Sequence, residues 1–234
     1  MSLHLGWLGS RRQPLASNES VTASTLFRLG GLSAVIGGVF LGLDVVLHLF
    51  VDDTLAPTEL GGLAHEAWHV PGIIALPLAL LGLVSIYLAQ PSESGLMGLW
   101  GFVLLVVGMT IGAVYSTVFH GVFLPAIESI ETGLFERLVD NTTAAQFYRG
   151  VIVQALGLGL GAVLFGVATI RAKVFPVWTG WLFVAAAAFA AANQVWVEGQ
   201  LVSRAMFAVA FIWLGIALRA RTLSVSRTSP TSQS

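Results

Sequence analysis

FRLGGLSAVIGGVFLGLDVVLHLFV, residues 27–51, is an apolar run broken in its second half by two strongly polar side chains, Asp44 and His48. At 1.5 Å per residue a helix of this length covers about 37 Å, enough for a hydrocarbon core of ~30 Å. In lipid every backbone group must be satisfied internally, and a run this long suits a helix rather than a barrel strand of ~10 residues. Asp44 and His48 are one turn apart, so they share a helix face, and Gly37 lies on it too. Polar groups are costly in hydrocarbon and turn toward a bundle interior, a cavity or one another. The same run carries Gly30, Ala34, Gly38 and Gly42 at four-residue spacing, the small residues that let membrane helices pack closely.

Working outward, five further apolar runs occupy residues 69–89, 96–124, 147–170, 175–197 and 203–219. The fold expected is all-α: a polytopic bundle of six transmembrane helices spanning residues 27–221. Residues 1–26 form a cytoplasmic tail, and residues 222–234, rich in Ser and Thr, form a disordered one. Composition points the same way. The chain is 56% hydrophobic and only 10% charged, with a mean hydropathy of +0.85, whereas a soluble domain is about 25% charged. The lipid bilayer is therefore the expected partner. A balance of 11 basic against 12 acidic residues excludes nucleic acid as one. The absence of cysteine excludes disulfides, thiolate metal sites and iron–sulfur clusters. The opening SRRQPL resembles a twin-arginine export signal, but the apolar run after it is longer than a signal h-region and no small-residue cleavage site follows.

With six spans both termini share a side. That side holds Arg11, Arg12, Arg28, Arg171, Lys173, Arg219, Arg221 and Arg227, against Arg137, Arg149 and Arg204 on the other. Short basic loops stay in the cytoplasm, so both termini are expected inside. Asp52, Asp53, Glu59, Glu66, Glu128, Glu131, Glu136, Asp140 and Glu198 fall outside. Trp100, Trp178 and Trp181 suit an inner aromatic belt, and Trp68, Tyr148 and Trp196 an outer one. Residues 127–140, with Ile127, Ile130, Leu134, Phe135 and Leu138 at helical spacing, suit an amphipathic helix on the outer surface.

Threading the spans up and down brings Asp44, His48, His69, His120, Gln154 and Asn193 to a common depth near the extracytoplasmic face. In span three Gly108, Gly112, Ser116 and His120 form one four-residue series. In span four Gly150, Gln154, Gly157 and Gly161 form one stripe. The polar residues of both spans are thus expected on packing faces. Ser116, Gln154 and Asn193 then join a buried polar network, which in a membrane protein can simply set helix register.

The chemistry-bearing patterns converge on that layer. HEAWH, residues 65–69, matches H-E-x-x-H, which puts His65 and His69 on one helix face with Glu66 placed to activate metal-bound water. It resembles the metal-binding motif of zinc metalloproteases over those five residues. The third ligand and downstream signatures of that class are not recognisable, and Pro71 threatens helix continuity just after His69. Asp44 and His48 supply a second pair that can bind metal jointly or hydrogen-bond each other. Ser116 and His120 resemble the serine–histidine helix of membrane zinc hydrolases of the ceramidase and progestin-receptor type. The paired histidines of that group's last helix have no counterpart in residues 203–219.

The site expected is a zinc centre with metal ligands among Asp44, His48, His65, His69 and His120 and with Glu66 as catalytic base, in a membrane hydrolase. The rivals are a non-enzymatic membrane protein whose polar layer packs helices or carries a small solute or proton, and axial ligation of haem by two histidines. GLGLGA, residues 157–162, has no strand before it to make a dinucleotide site, and Asn141 heads an N-x-T sequon.

Three stretches carry an overall resemblance: residues 27–49, the run HEAWHVPGIIALPLALLGLVSIYLAQ at 65–90, and FGVATIRAKVFPVWTGWL at 165–182. In these the chain resembles a loose group of six-span prokaryotic membrane proteins without assigned activity. That resemblance implies topology and leaves the chemistry open.

Overall fold

The computed structural model describes residues 23–50, 62–115, 117–118, 126, 130, 143–192 and 198–228, without the side chains of 62–68, 143–151 and 222–228. Among them are six helices and no strand: α1 (Ala23–Phe50), α2 (Gly62–Leu88), α3 (Pro91–Val114), α4 (Thr143–Ala172), α5 (Val177–Ala192) and α6 (Gly199–Thr228). Five contain a stretch long and apolar enough to cross a membrane. The exception is α5, whose 16 residues reach only about 24 Å. Residues 193–197, the rest of the expected fifth span, lie outside the described set.

Three boundaries differ from expectation. α2 begins at Gly62 and continues through Pro71 and Pro77, so Pro71 does not end the helix after His69. Each proline forfeits one backbone hydrogen bond, a loss that neighbouring helices can make good in a membrane bundle. α3 has a first turn separated from its main body by Gly95, at φ 59° and ψ −158°. Only glycine adopts that backbone readily, and the uninterrupted helix resumes at Leu96. α6 runs on to Thr228, into the stretch expected to be disordered, because neither glycine nor proline interrupts residues 220–228. The amphipathic stretch 127–140 is described only at Ile130 and is otherwise outside the described residues.

Successive helices run antiparallel, and their registers can be read from glycines that admit the partner's backbone. A Cβ on Gly37 would lie 2.6 Å from Ala79 N, and one on Gly82 2.7 Å from Ala34 Cα, which locks α1 against α2. On α1's other flank, a Cβ on Gly38 would lie 2.7 Å from Ala208 O of α6. The four-residue stripe of α1 therefore serves two interfaces, with Gly30 and Ala34 on α2 and Gly38 on α6. Gly108 of α3 meets Leu158 N of α4 in the same way at 2.6 Å, as the stripes of spans three and four led one to expect.

α4 ends at Ala172, with Lys173 in the left-handed region at φ 54°, and the Pro176 carbonyl then accepts from Thr179 N–H at 3.0 Å and its hydroxyl at 2.6 Å. That turn brings α5 back along α4, where a Cβ on Gly166 would lie 2.6 Å from Gly180 O. Phe183 at the centre meets the rings of Phe165, Phe207 and Phe211 edge-on, joining α4, α5 and α6 around a core that includes Leu83, Leu105 and Leu214.

The outward faces are apolar as well. Leu29, Leu32, Ile36, Val39, Leu43 and Val46 are all exposed along one side of α1. A continuous exposed apolar face of this size belongs against lipid. The start of α1 and the end of α6 lie together at one end of the bundle, which carries exposed Arg28, Arg171, Lys173, Arg219 and Arg221.

Buried polar groups occur at both ends, beyond the single layer expected. Near the basic end Gln90 is fully buried and donates through Nε2 to Thr169 Oγ1 at 3.0 Å, tying the α2–α3 turn to α4.

Candidate functional site

At the opposite end, the last turns of α1 meet the early turns of α2 and α6. Asp44 sits on α1 with its side chain only 5% exposed. The carboxylate fits there because Gly72 of α2 has no side chain: a Cβ at that position would lie 2.8 Å from Asp44 Oδ1. His48, one turn further along α1, donates from Nδ1 to the Asp44 backbone carbonyl at 2.7 Å. With the Nδ1 proton so engaged, a neutral imidazole presents Nε2 as its free lone pair. The same Nδ1 lies 3.8 Å from Asp44 Oδ1, an ion-pair distance once the ring is protonated.

His69 enters from α2. Its ring centroid is 5.4 Å from that of His48, with the planes 62° apart. Asp44, His48 and His69 each offer one ligand atom, and these lie within 4.8 Å of one another. His48 and His69 are half-buried and Asp44 is buried. Two imidazoles and a carboxylate are a donor set suited to zinc and other first-row transition ions.

The fourth member is Arg204 of α6, whose Nη1 donates to Asp44 Oδ2 at 3.0 Å with the Arg204 side chain 33% exposed. Sequence reasoning used Arg204 only as a loop charge that reports orientation. A usable signal was there: Arg204, Ala208 and Gly215 fall on one face of α6, the face that packs on Gly38 and Gly31 of α1. An arginine heading a stripe of small residues is placed to enter a helix interface.

Of the other expected site residues, Gln154 lies on the α3–α4 seam, where a Cβ on Gly112 would come 2.6 Å from its Nε2 and 3.8 Å from Leu76 Cδ1. Leu76 is one turn along α2 from Gly72, the glycine that faces Asp44. His65 and Glu66 lie on the backbone of α2, in the same helix as His69, and their side chains are outside the described set. His120, Ser116 and Asn193 lie outside the described residues altogether.

Comparison with known proteins adds no relative: no family profile, no curated protein and no solved structure matches the chain.

Proposed function

We propose that this is a multi-pass protein of the cell membrane whose Asp44–His48–His69 cluster is a transition-metal site, with zinc as the ion, serving hydrolysis of a lipid or peptide bond. The observation that carries the reading is the convergence of two imidazoles and one carboxylate from adjacent helices, with ligand atoms within 4.8 Å. Bonds of 2.0–2.1 Å in a tetrahedral site would draw those atoms to about 3.3 Å apart, a closure within reach of side-chain rotation. A zinc ion held by these three residues would leave a fourth position for water and would lower that water's pKa to about 7. Glu66, three residues before His69 on α2, is the base assigned to that water. Imidazoles 5.4 Å apart on packed neighbouring helices favour one ion over a haem between them.

The site is assigned to the extracytoplasmic side, with both termini in the cytoplasm. Support comes from the exposed basic residues Arg28, Arg171, Lys173, Arg219 and Arg221 at the opposite end.

Elemental analysis of full-length protein purified without an affinity His-tag tests the assignment. Near-stoichiometric zinc is expected, lost in His48→Ala and in His69→Ala while the protein stays folded. A Soret band would transfer the histidines to haem. Folded protein with neither would leave a second reading, favoured by the 3.0 Å Arg204–Asp44 pair: a polar layer that sets helix register or carries a proton or small solute.

A further inference from the structure

We infer that the metal-loaded site takes an anionic group, a carboxylate or a phosphate, together with the ion, and that Arg204 receives it. This rests on the metal-site reading above and deepens it. The first support is charge. Asp44 and Arg204 cancel each other across 3.0 Å, and the histidines ligate metal as neutral rings. A divalent ion therefore adds two positive charges to a layer where the Asp44 side chain is 5% exposed and that of His48 8%. Asp44 is the one buried acid among the described residues, and the carboxylate of Glu66, the base assigned to this site, offsets only one of the two added charges. Uncompensated charge in a low-dielectric interior is strongly disfavoured, and an anion entering with the ion removes that penalty.

The second support is geometry. Asp44 Oδ2 is held by Arg204, while Oδ1 faces His48 and the space left by Gly72. An ion bound through the carboxylate withdraws its charge and loosens its hold on the guanidinium. The Arg204 side chain is one-third exposed, so it is not sealed within the bundle. A planar guanidinium with paired N–H donors matches a carboxylate or phosphate in two parallel hydrogen bonds. Ion and anion then bind with positive coupling, and the coupling is reciprocal.

The test uses full-length protein in dodecyl maltoside micelles, which carry no anionic group, with Co²⁺ as a coloured stand-in for zinc. Co²⁺ is titrated at constant ionic strength in sodium perchlorate and in sodium acetate. In the wild type, acetate should tighten Co²⁺ binding roughly tenfold, within the usual 5–150-fold range for coupled sites, and shift the d–d bands. Arg204→Gln should bind Co²⁺ without responding to acetate, and Arg204→Lys, which keeps the charge but not the fork, should respond less than wild type. Phosphatidylglycerol added to the micelles distinguishes the sources. A lipid headgroup as the natural anion would replace acetate and abolish its effect, whereas a soluble anion would leave the acetate response intact. Equal Co²⁺ affinity in the two salts, or a full acetate response in Arg204→Gln, would overturn the inference while leaving the metal site standing. Failure of the wild type to bind either Co²⁺ or Zn²⁺ would remove both. The wild-type salt comparison needs no substitution, so a variant that misfolds does not block the decision.

Discussion

Asp44 is the side chain on which three helices depend, because its carboxylate meets Arg204 of α6 at 3.0 Å and occupies the space that Gly72 of α2 leaves open. Breaking such a pair strands a charge away from water. Asp44→Asn and Arg204→Gln should each destabilise the folded protein by about 3 kcal/mol, the low end for buried pairs because Arg204 is partly exposed. The double variant should recover part of that loss, since neither charge is then left alone. Unfolding of the purified variants in a common detergent measures the cycle, and strictly additive losses would show that the pair is not coupled. Gly72→Ala is a separate probe. Its new methyl would fall 2.8 Å from Asp44 Oδ1 and displace the carboxylate without removing any donor. Metal affinity should drop about 10–100-fold, as for other disturbances beside a ligand, and a competition titration with a chromophoric chelator reads it.

Along the middle of the bundle, helix pairing rests on small residues at close approach, with polar contacts such as Asp44–Arg204 and Gln90–Thr169 toward its ends. The α1–α2 seam runs through Gly30 against Ser85, Gly37 against Ala79 and Gly82 against Ala34, and continues to Asp44 beside Gly72. The register that seats the carboxylate is thus set by glycines well away from it. Gly37→Val should separate the two helices, because its Cβ would meet backbone at 2.6 Å and backbone cannot rotate aside. A loss of about 1–3 kcal/mol is expected from overpacking, together with weaker metal binding although no ligand has been touched. Thermal unfolding and zinc content of the same preparation decide it, and unchanged values in both would mean that the seam has slack. The helix breaks also belong to this level. Gly95 was legible as nothing more than the edge of an apolar run, whereas its φ of 59° separates the first turn of α3 from the body. Pro71 read as a break because local rules count its lost hydrogen bond and clash but not the neighbours that compensate.

The bundle as a unit has one basic end and one end that carries the Asp44–His48–His69 cluster, and its sidedness is open to direct measurement. Reporter fusions at Ser92 and Ser232 should behave as cytoplasmic, and a fusion near Thr132 as exported. An exported signal at Ser232 would reverse the assignment and move the Asp44 cluster to the cytoplasmic side. Much of this architecture follows from composition and period. A chain with 56% hydrophobic residues in long runs has no soluble solution, and lipid leaves only helices for runs of that length. The pairing of Asp44 with His48 was equally legible, because a four-residue separation fixes their shared face whatever surrounds them. The identity of the partners was legible only in part. His69, on the next helix, was expected at the depth of Asp44, whereas Arg204 reaches Asp44 from α6 at the far end of the chain, and nothing local says that α6 will lie beside α1. Gln154 illustrates the same limit: its helix face was readable, but its place against Gly112 depends on where α3 and α4 cross. Periodicity dictates the face of one helix, while proximity between helices comes from the mutual fit of surfaces such as Gly37 on Ala79 and Gly38 on Ala208, which forms only when the bundle assembles.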